Sequence, residues 1–251
     1  MTRSNVPVWV DLTSPDVAAS AAFYTTVLGW EVEVSPDPQY GGYATARVGG
    51  ASVAGIAAQM DASNPIAWHL YIGTDDAAAL AAKVAAAGGT VVVPGFDVGD
   101  QGQMALYQDP SGAFISAWQP AAMEGFAGQG LGAYGWAELN ARGLERALPF
   151  YEQAFGWTAR TSPMGEGQPD YTEFRLGDQS VAGAWELNPA IPAEVPSYWL
   201  VYFWVADLEA AFATAIGAGA TEMVGPTSFP GGRFAIITDP QGAMVGLLET
   251  S

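Results

Sequence analysis

The sequence predicts an α+β fold made of four β-α-β-β-β modules, which are grouped into two similar halves of the chain. The first observation behind this prediction is an internal repeat, because several motifs recur in the same order in the second half. The second is periodicity, since short stretches alternate like strands and two stretches in each half have helical spacing. The third is composition: half of the 251 residues are hydrophobic, which is enough to build complete cores.

The repeat extends along the whole chain. The matching segments are Trp9-Val10-Asp11-Leu12 with Trp136-Ala137-Glu138-Leu139, Phe23-Tyr24 and Leu28-Gly29-Trp30 with Phe150-Tyr151 and Phe155-Gly156-Trp157, Val53-Ala54-Gly55 with Val181-Ala182-Gly183, and Asp109-Pro110-Ser111-Gly112 with Asp239-Pro240-Gln241-Gly242. The stretch 121–132 is rich in glycine and lacks periodicity, which is typical of a linker. We therefore predict a first domain at 1–120, a linker at 121–132 and a second domain at 133–251.

Each module follows the same order of elements. In the first half, alternation predicts a strand at 8–12, and strand-like runs between Pro and Gly turns predict strands at 30–34, 43–48 and 51–58, with a helix at 16–28. Similar runs then predict strands at 68–73, 90–94, 103–107 and 113–118, with a helix at 75–87. Gly29 and Gly88-Gly89 are the predicted stops of the two helices. The second half repeats the pattern, with strands at 134–139 and 198–205, helices at 143–155 and 207–218, and three strands after each helix.

Composition and charge exclude several classes of function. The formal net charge is -18, from 8 basic and 26 acidic residues, so the surface repels nucleic acid and anionic membranes. Cysteine is absent and His69 is the single histidine, which excludes disulfides, thiolate sites and any site built on several imidazoles of one chain. The sequence also lacks a signal-peptide pattern and an apolar stretch of about 18 residues, so we expect a cytoplasmic protein.

The repeated strings, the two Asp-Pro-x-Gly turns and the segment 69–76, His-Leu-Tyr-Ile-Gly-Thr-Asp-Asp, carry a resemblance to a known family. The chain resembles the vicinal oxygen chelate superfamily, which contains glyoxalases, bleomycin resistance proteins and extradiol dioxygenases, and within it the tandem two-domain actinobacterial members. The resemblance implies two tandem glyoxalase-like domains, each an incomplete barrel of curled mixed sheet. It covers nearly the whole chain.

The resemblance also implies where a metal would bind, because metal-using members carry ligands, usually His and Glu, on the first and fourth strands of each module. In this sequence those positions hold Trp9, Gly55, His69 and Ser116 in the first half, and Trp136, Gly183, Leu200 and Gly246 in the second. Of these, His69 alone is a competent ligand, and a divalent ion needs several donors at once. We therefore expect no metal and no other cofactor.

Strand alternation indicates which side chains share the inner faces of the sheets. It favours His69 and Asp11 as catalytic residues. The candidate ligand-binding residues are Trp9, Tyr71, Ser116, Trp118, Trp136, Glu138, Trp185 and Tyr202. Glycine and serine at the former ligand positions are expected to leave open volume between aromatic walls, which suits a flat apolar ligand.

Two main functions follow, together with a third that the missing ligands disfavour. The first is metal-free handling of an aromatic or polycyclic small molecule in natural-product tailoring, hydroxylase-like or cyclase-like, with His69 or Asp11 as acid or base. The second is non-catalytic sequestration of such a ligand, and the third is a metal-dependent lyase of the glyoxalase type. The sequence leaves open whether the protein is an enzyme, whether modules pair within or across halves, and whether the chain is a monomer with pseudo-dimeric halves or a homodimer.

Overall fold

The computed structural model describes residues 4–164 and 169–250, which contain sixteen strands and four α-helices. The first half comprises β1 (Pro7–Ser14), α1 (Val17–Leu28), β2 (Glu31–Val34), β3 (Ala44–Val48), β4 (Ala51–Ala58), β5 (Ala67–Gly73), α2 (Ala77–Ala86), β6 (Thr90–Val98), β7 (Gly102–Gln108) and β8 (Phe114–Pro120). The second half comprises β9 (Tyr134–Ala141), α3 (Leu144–Phe155), β10 (Thr158–Ser162), β11 (Tyr171–Leu176), β12 (Gln179–Glu186), β13 (Tyr198–Trp204), α4 (Leu208–Gly217), β14 (Thr221–Phe229), β15 (Gly232–Thr238) and β16 (Met244–Thr250). The four predicted β-α-β-β-β modules, numbered 1 to 4 in chain order, are therefore confirmed.

Local sequence explains where the helices begin and end. Asp16 caps α1, since its side chain accepts a hydrogen bond from Ala19 N at 2.9 Å, and Asp76 and Asp207 cap α2 and α4 in the same way. Gly29 ends α1 with φ of 71°, a left-handed conformation that favours glycine. No described helix is long or apolar enough to cross a lipid bilayer.

Each half forms one eight-stranded mixed sheet. The strand order is β2-β3-β4-β1-β5-β8-β7-β6 in the first half and β10-β11-β12-β9-β13-β16-β15-β14 in the second. The pairs β1 with β4 and β5 with β8 are parallel, and the hairpin pairs on either side of them are antiparallel. Neither sheet closes into a barrel, in agreement with the predicted incomplete barrel.

The chain folds into two compact units, and each of them draws on both halves of the sequence. The 1/4 unit comprises Trp9–His69, Gly125–Gly135 and the described residues from Leu200 onward, so it combines most of modules 1 and 4. The 2/3 unit comprises the described residues up to Val8 together with Leu70–Glu124 and Trp136–Trp199. The predicted domain boundaries at 120 and 133 follow the sequence halves and remain predictions.

The repeated aromatic motifs form the core of each compact unit. In the 1/4 unit, the ring of Tyr24 stacks on Trp30 at 5.1 Å and meets Trp68 edge-on at 5.3 Å, while Phe203 contacts Trp68 at 5.0 Å. All four rings are buried. Such packing of large rings contributes beyond the area that it removes from water, so these residues stabilise the unit.

The 2/3 unit has an equivalent core. The ring of Tyr151 stacks on Trp157 at 5.5 Å, and it contacts Phe174 at 5.0 Å and Trp199 at 5.6 Å. Both copies of the Phe-Tyr and Gly-Trp motifs are therefore structural residues rather than candidate site residues.

Candidate functional site

A hydrogen-bonded chain of three side chains lies in the 1/4 unit. The indole Nε1 of Trp9 donates to the hydroxyl of Tyr43 at 2.8 Å, and this hydroxyl donates to Asp11 Oδ2 at 3.3 Å. We call Trp9, Tyr43 and Asp11 the N-terminal triad. Burial raises the pKa of Tyr43 well above its usual value, and the Asp11 carboxylate raises it further. The phenol is therefore held neutral, with its proton directed at Asp11.

Strand register explains why the triad needs a glycine beside it. Asp11 on β1 pairs with Gly55 on β4, and a Cβ atom added to Gly55 would lie 1.8 Å from the hydroxyl of Tyr43. Any side chain at position 55 would therefore collide with the phenol. The ring of Tyr43 occupies the place that a larger residue on β4 would need.

The 2/3 unit repeats the arrangement with equivalent residues. Trp136 Nε1 donates to the hydroxyl of Tyr171 at 2.9 Å, and the hydroxyl is hydrogen-bonded to Glu138. A Cβ atom at Gly183 would lie 1.9 Å from this hydroxyl. We call Trp136, Tyr171 and Glu138 the C-terminal triad. Burial, and then the charge of Glu138, raise the pKa of Tyr171, so this phenol is neutral as well.

His69, the predicted catalytic histidine, lies on β5 in the 1/4 unit, beside the C-terminal end of β1. Its Nε2 atom is 3.0 Å from Thr13 Oγ1, and the imidazole is half-buried. Thr13 is two residues after Asp11 on β1, so the two side chains share one face of the strand. The structure thus brings both predicted catalytic residues to the same compact unit, Asp11 on β1 and His69 on β5, with Thr13 linking them.

The other predicted ligand-binding residues divide between the units. In the 2/3 unit, the ring of Trp185 lies 4.7 Å from Tyr171, beside the C-terminal triad. Tyr71 and Ser116 are buried register partners on β5 and β8, and Trp118 Nε1 donates to the carbonyl of Met123 at 2.8 Å. In the 1/4 unit, Tyr202 is buried on β13.

The expectation of open volume at the glycine positions is wrong. A Cβ atom at Gly246 would lie 2.0 Å from Tyr202 Cδ1, so the Tyr202 ring covers this position just as Tyr43 covers Gly55 and Tyr171 covers Gly183. Sequence alternation identified the glycines but not the rings that fill the space above them. These glycines therefore accommodate neighbouring tyrosines instead of enlarging a cavity.

Sequence reasoning missed Tyr43 and Tyr171, which are central to the two triads. Tyr43 directly precedes β3 and Tyr171 begins β11, on strands that do not carry the other triad residues. A signal was available, because both tyrosines occupy the same place in the repeat and each accompanies a repeated glycine. Phe126 was missed as well, since the linker has no counterpart in the repeat. Tyr134 was missed because the matching position at the start of β1 holds Pro7.

The residues at the family's ligand positions do not fit a divalent metal. Trp9 and Trp136 present an indole N–H that already donates to a phenol, while Gly55 and Gly183 are covered by phenol rings. Each of these phenols is held neutral and is already hydrogen-bonded. A divalent metal instead needs several carboxylate, imidazole or thiolate ligands that point at one place.

A separate acidic group lies elsewhere on the 1/4 unit. Asp207, Glu209 and Glu249 place carboxylate oxygens within 4.8 Å of one another. Asp207 caps α4, Glu209 is ion-paired with Arg233, and Glu249 accepts from Leu208 N at 2.6 Å. Each carboxylate therefore has a structural partner. A shallow cleft of about 330 Å³ beside them is lined by Gly130, Leu131, Trp204, Val205, Ala206, Glu249 and Thr250.

Comparison with known proteins identifies the family of this chain. A sequence profile of the Glyoxalase/Bleomycin resistance protein/Dioxygenase superfamily matches residues 7–116 and 133–247. The chain is 38% identical over 253 residues to "Putative glyoxylase CFP32" of Mycobacterium tuberculosis, covering 98% of this chain and 95% of that protein. It is 37% identical over 268 residues to the anthracycline biosynthesis protein DnrV of Streptomyces peucetius, covering 99% and 95%.

Solved structures show the same fold at low sequence identity. The Mn(II)-bound glyoxalase from Novosphingobium aromaticivorans aligns over 99% of this chain and 83% of its own, with a TM-score of 0.69 and 17% identity. The 2,3-dioxygenase LapB from Pseudomonas sp. KL28 aligns over 100% and 94%, with a TM-score of 0.67 and 15% identity. From its two profile matches and its full-length relatives, this chain belongs to the Glyoxalase/Bleomycin resistance protein/Dioxygenase superfamily.

Proposed function

We propose that this protein handles a flat aromatic or polycyclic small molecule without a metal ion, as a tailoring protein in natural-product biosynthesis. The relatives DnrV and DauV, from two Streptomyces strains, are named anthracycline biosynthesis proteins. Anthracyclines are flat polycyclic aromatic compounds. Relatives of 37% identity over nearly the whole chain support a ligand of the same general shape.

The observation that carries the proposal is the duplicated triad at the family's metal position. In both halves a tryptophan stands at the ligand position of the first strand, and a tyrosine hydroxyl lies where the ligand side chain of the fourth strand would begin. The phenols of Tyr43 and Tyr171, each hydrogen-bonded, fill the equivalent place in the two triads. A site in which both copies are filled this way is suited to chemistry by hydrogen bonds and proton transfer.

The N-terminal triad supplies the chemistry in this proposal. Tyr43 directs its proton at Asp11, which orients the carboxylate, and Trp9 fixes the position of the phenol from the other side. Asp11 and His69 then act as the acid and base groups toward a bound ligand. Asp11 shares a face of β1 with Thr13, and Thr13 is 3.0 Å from Nε2 of His69 on β5, so a ligand lying along that face would meet both groups.

Aromatic side chains supply the binding energy. Trp9 is buried and has an aromatic neighbour, Phe126, at a ring distance of 5.6 Å. A flat ligand gains by stacking on such rings, and a few polar groups nearby fix its orientation. The net charge of -18 favours neutral or cationic ligands over anionic ones.

The test combines metal analysis with ligand binding. Purified protein is dialysed against metal-free buffer and its metal content is measured by elemental analysis. Tryptophan fluorescence is then titrated with 1-hydroxyanthraquinone before and after EDTA treatment, and again after added Mn²⁺. We expect no stoichiometric metal and a binding curve that neither EDTA nor Mn²⁺ changes. One tightly held ion per chain, or binding that disappears with EDTA, would overturn the metal-free proposal.

Sequestration without turnover is the second candidate, because the acidic surface and stacking side chains also suit storage of a flat cationic drug. Mass spectrometry of hydroxyanthraquinones after incubation with the protein separates the two. Conversion that the Asp11→Asn variant abolishes supports tailoring. Stoichiometric binding with every compound recovered unchanged supports sequestration.

A further inference from the structure

A buried hydroxyl without a partner lies at the start of β9, in the 1/4 unit. The Oη atom of Tyr134 is inaccessible to water and has no hydrogen-bond partner among the described residues. Burial alone raises the pKa of Tyr134, so the hydroxyl keeps its proton. Leaving such a group unpaired costs free energy, which the protein recovers when a partner arrives.

Phe126, from the linker, contacts the Tyr134 ring and the N-terminal triad. Its ring stacks on Tyr134 at 5.0 Å with an interplanar angle of 18°, and it lies 5.6 Å from the ring of Trp9. Phe126 and Tyr134 are both half-buried. A single aromatic ring thus fills the space beside Trp9 and Tyr134, a space that we call the aromatic slot.

The linker that carries Phe126 is held to the 1/4 unit by its backbone. Ala127 N and Gly128 N both donate to the carbonyl of Ser52, at 3.0 and 3.1 Å, and Gly132 N donates to the carbonyl of Trp204 at 2.8 Å. These backbone bonds fix the linker beside the slot, and the Phe126 side chain is the part of the linker that lies in it. Its neighbour Gly125 has φ of 110°, a conformation that side-chain-bearing residues rarely adopt.

We propose that the aromatic slot is a ligand site for a planar polycyclic compound that carries a ring carbonyl, and that Phe126 occupies it in the ligand-free protein. This inference rests on the proposed function and names the part of the ligand that it recognises. A fused aromatic ring takes the place of Phe126 against Trp9 and Tyr134. The ring carbonyl accepts a hydrogen bond from the Tyr134 hydroxyl, which gives this buried hydroxyl a partner.

The chemistry of the slot selects this ligand class. Tyr134 supplies one neutral donor, which suits a carbonyl oxygen better than a cation. Trp9 supplies a flat apolar surface for stacking, and through Tyr43 it is linked to Asp11. A ligand in the slot therefore lies next to the N-terminal triad.

Two variants with opposite expected effects test the proposal. Tyr134→Phe removes an unpaired hydroxyl, so we expect an unchanged or raised Tm but about tenfold weaker binding of 1-hydroxyanthraquinone. Phe126→Ala empties the slot, so we expect several-fold tighter binding of the same probe. Anthracene, which has no carbonyl, should bind the Tyr134→Phe variant and the parent equally.

The controls separate this inference from the proposed function. Tyr107→Phe removes a buried hydroxyl of the 2/3 unit and should leave probe binding unchanged, and Phe126→Leu replaces Phe126→Ala if the alanine variant fails to fold. Parent protein that binds neither probe overturns the proposed function together with the slot. Parent protein that binds 1-hydroxyanthraquinone while the Tyr134 and Phe126 variants match it overturns the slot alone.

Discussion

The hydroxyl of Tyr24 on α1 donates a hydrogen bond of 2.8 Å to Oδ2 of Asp239, which lies 215 residues further along the chain. In the 2/3 unit the hydroxyl of Tyr151 on α3 makes the same 2.8 Å bond to Oδ2 of Asp109. All four residues are buried. The repeated Phe-Tyr motif and the repeated Asp-Pro-x-Gly turn therefore meet in each compact unit, and each pair joins residues from the two sequence halves.

Asp239 and Asp109 each stabilise the turn that contains them, in addition to accepting a hydrogen bond from a tyrosine. Asp239 Oδ1 accepts from Ala243 N at 2.9 Å, and Asp109 Oδ1 accepts from Ala113 N at 3.0 Å. One carboxylate oxygen thus serves the turn and the other the helix. This dual use explains why both motifs are retained in both halves of the repeat.

Removing the Tyr24 hydroxyl should destabilise the protein. In the parent, the Tyr24 hydroxyl donates to Asp239 and accepts from Trp68 Nε1 at 3.0 Å. Tyr24→Phe therefore leaves the buried Asp239 without this donor and Trp68 Nε1 without its acceptor. We expect the free energy of unfolding in urea to fall by about 1–3 kcal/mol, and Tyr151→Phe to behave alike. Tyr107→Phe is the control, because its hydroxyl makes a longer bond of 3.4 Å to Ala77 O. Equal losses in all three variants would contradict the role of the aspartates.

The buried tyrosines predict alkaline unfolding. Burial, followed by the charge of a nearby carboxylate, raises the pKa of Tyr24, Tyr43 and Tyr151 well above the ordinary value of 10.0. A folded pKa above the unfolded one gives stability that is complete below pH 10 and is lost as the pH rises through the folded values. Absorbance at 295 nm should show these phenols ionising together with loss of near-ultraviolet circular dichroism. Gradual ionisation near pH 10 in a folded protein would be inconsistent with this.

A methyl group at Gly55 should disrupt the N-terminal triad. The added Cβ would lie 1.8 Å from the Tyr43 hydroxyl, so Gly55→Ala should cost about 1–3 kcal/mol in the free energy of unfolding. The double variant Gly55→Ala/Tyr43→Ala should lose less than the sum of the two single losses. Gly217→Ala, where a Cβ meets nothing within 4 Å, is the neutral control. Additive losses in the double variant would show that Tyr43 does not fill this space.

Substitution of either predicted catalytic residue, His69 or Asp11, should weaken ligand binding without unfolding the protein. His69→Ala should cost about 1–3 kcal/mol of binding of 1-hydroxyanthraquinone, because it deletes a half-buried polar group of the site. Asp11→Asn keeps the volume and removes the charge that acts as acid or base. Glu138→Gln is the matched change in the C-terminal triad, with binding followed by fluorescence titration. If it abolishes binding while both first-half variants match the parent, the working site is the C-terminal triad.

Several features were predictable because they depend on local sequence. Helix bounds such as Val17–Leu28 follow from the Asp16 cap and the Gly29 stop, and strand bounds such as Ala51–Ala58 follow from a strand-like run that begins directly after a glycine turn. The poor metal-ligand set was also predictable, since it needs only residue identities at repeated positions. These properties are fixed by neighbours within a few residues along the chain.

The sequence by itself therefore determined the four modules, the repeat and the chemical character of Trp9, Asp11 and His69. Only the tertiary structure decided that Tyr43 bridges Trp9 and Asp11, that tyrosine rings cover the glycines, and that Phe126 contacts Trp9. Periodicity assigns a side chain to a face of its own strand. Which side chain from another strand or from the linker fills the space above that face depends on packing between segments far apart in sequence, which no local pattern encodes.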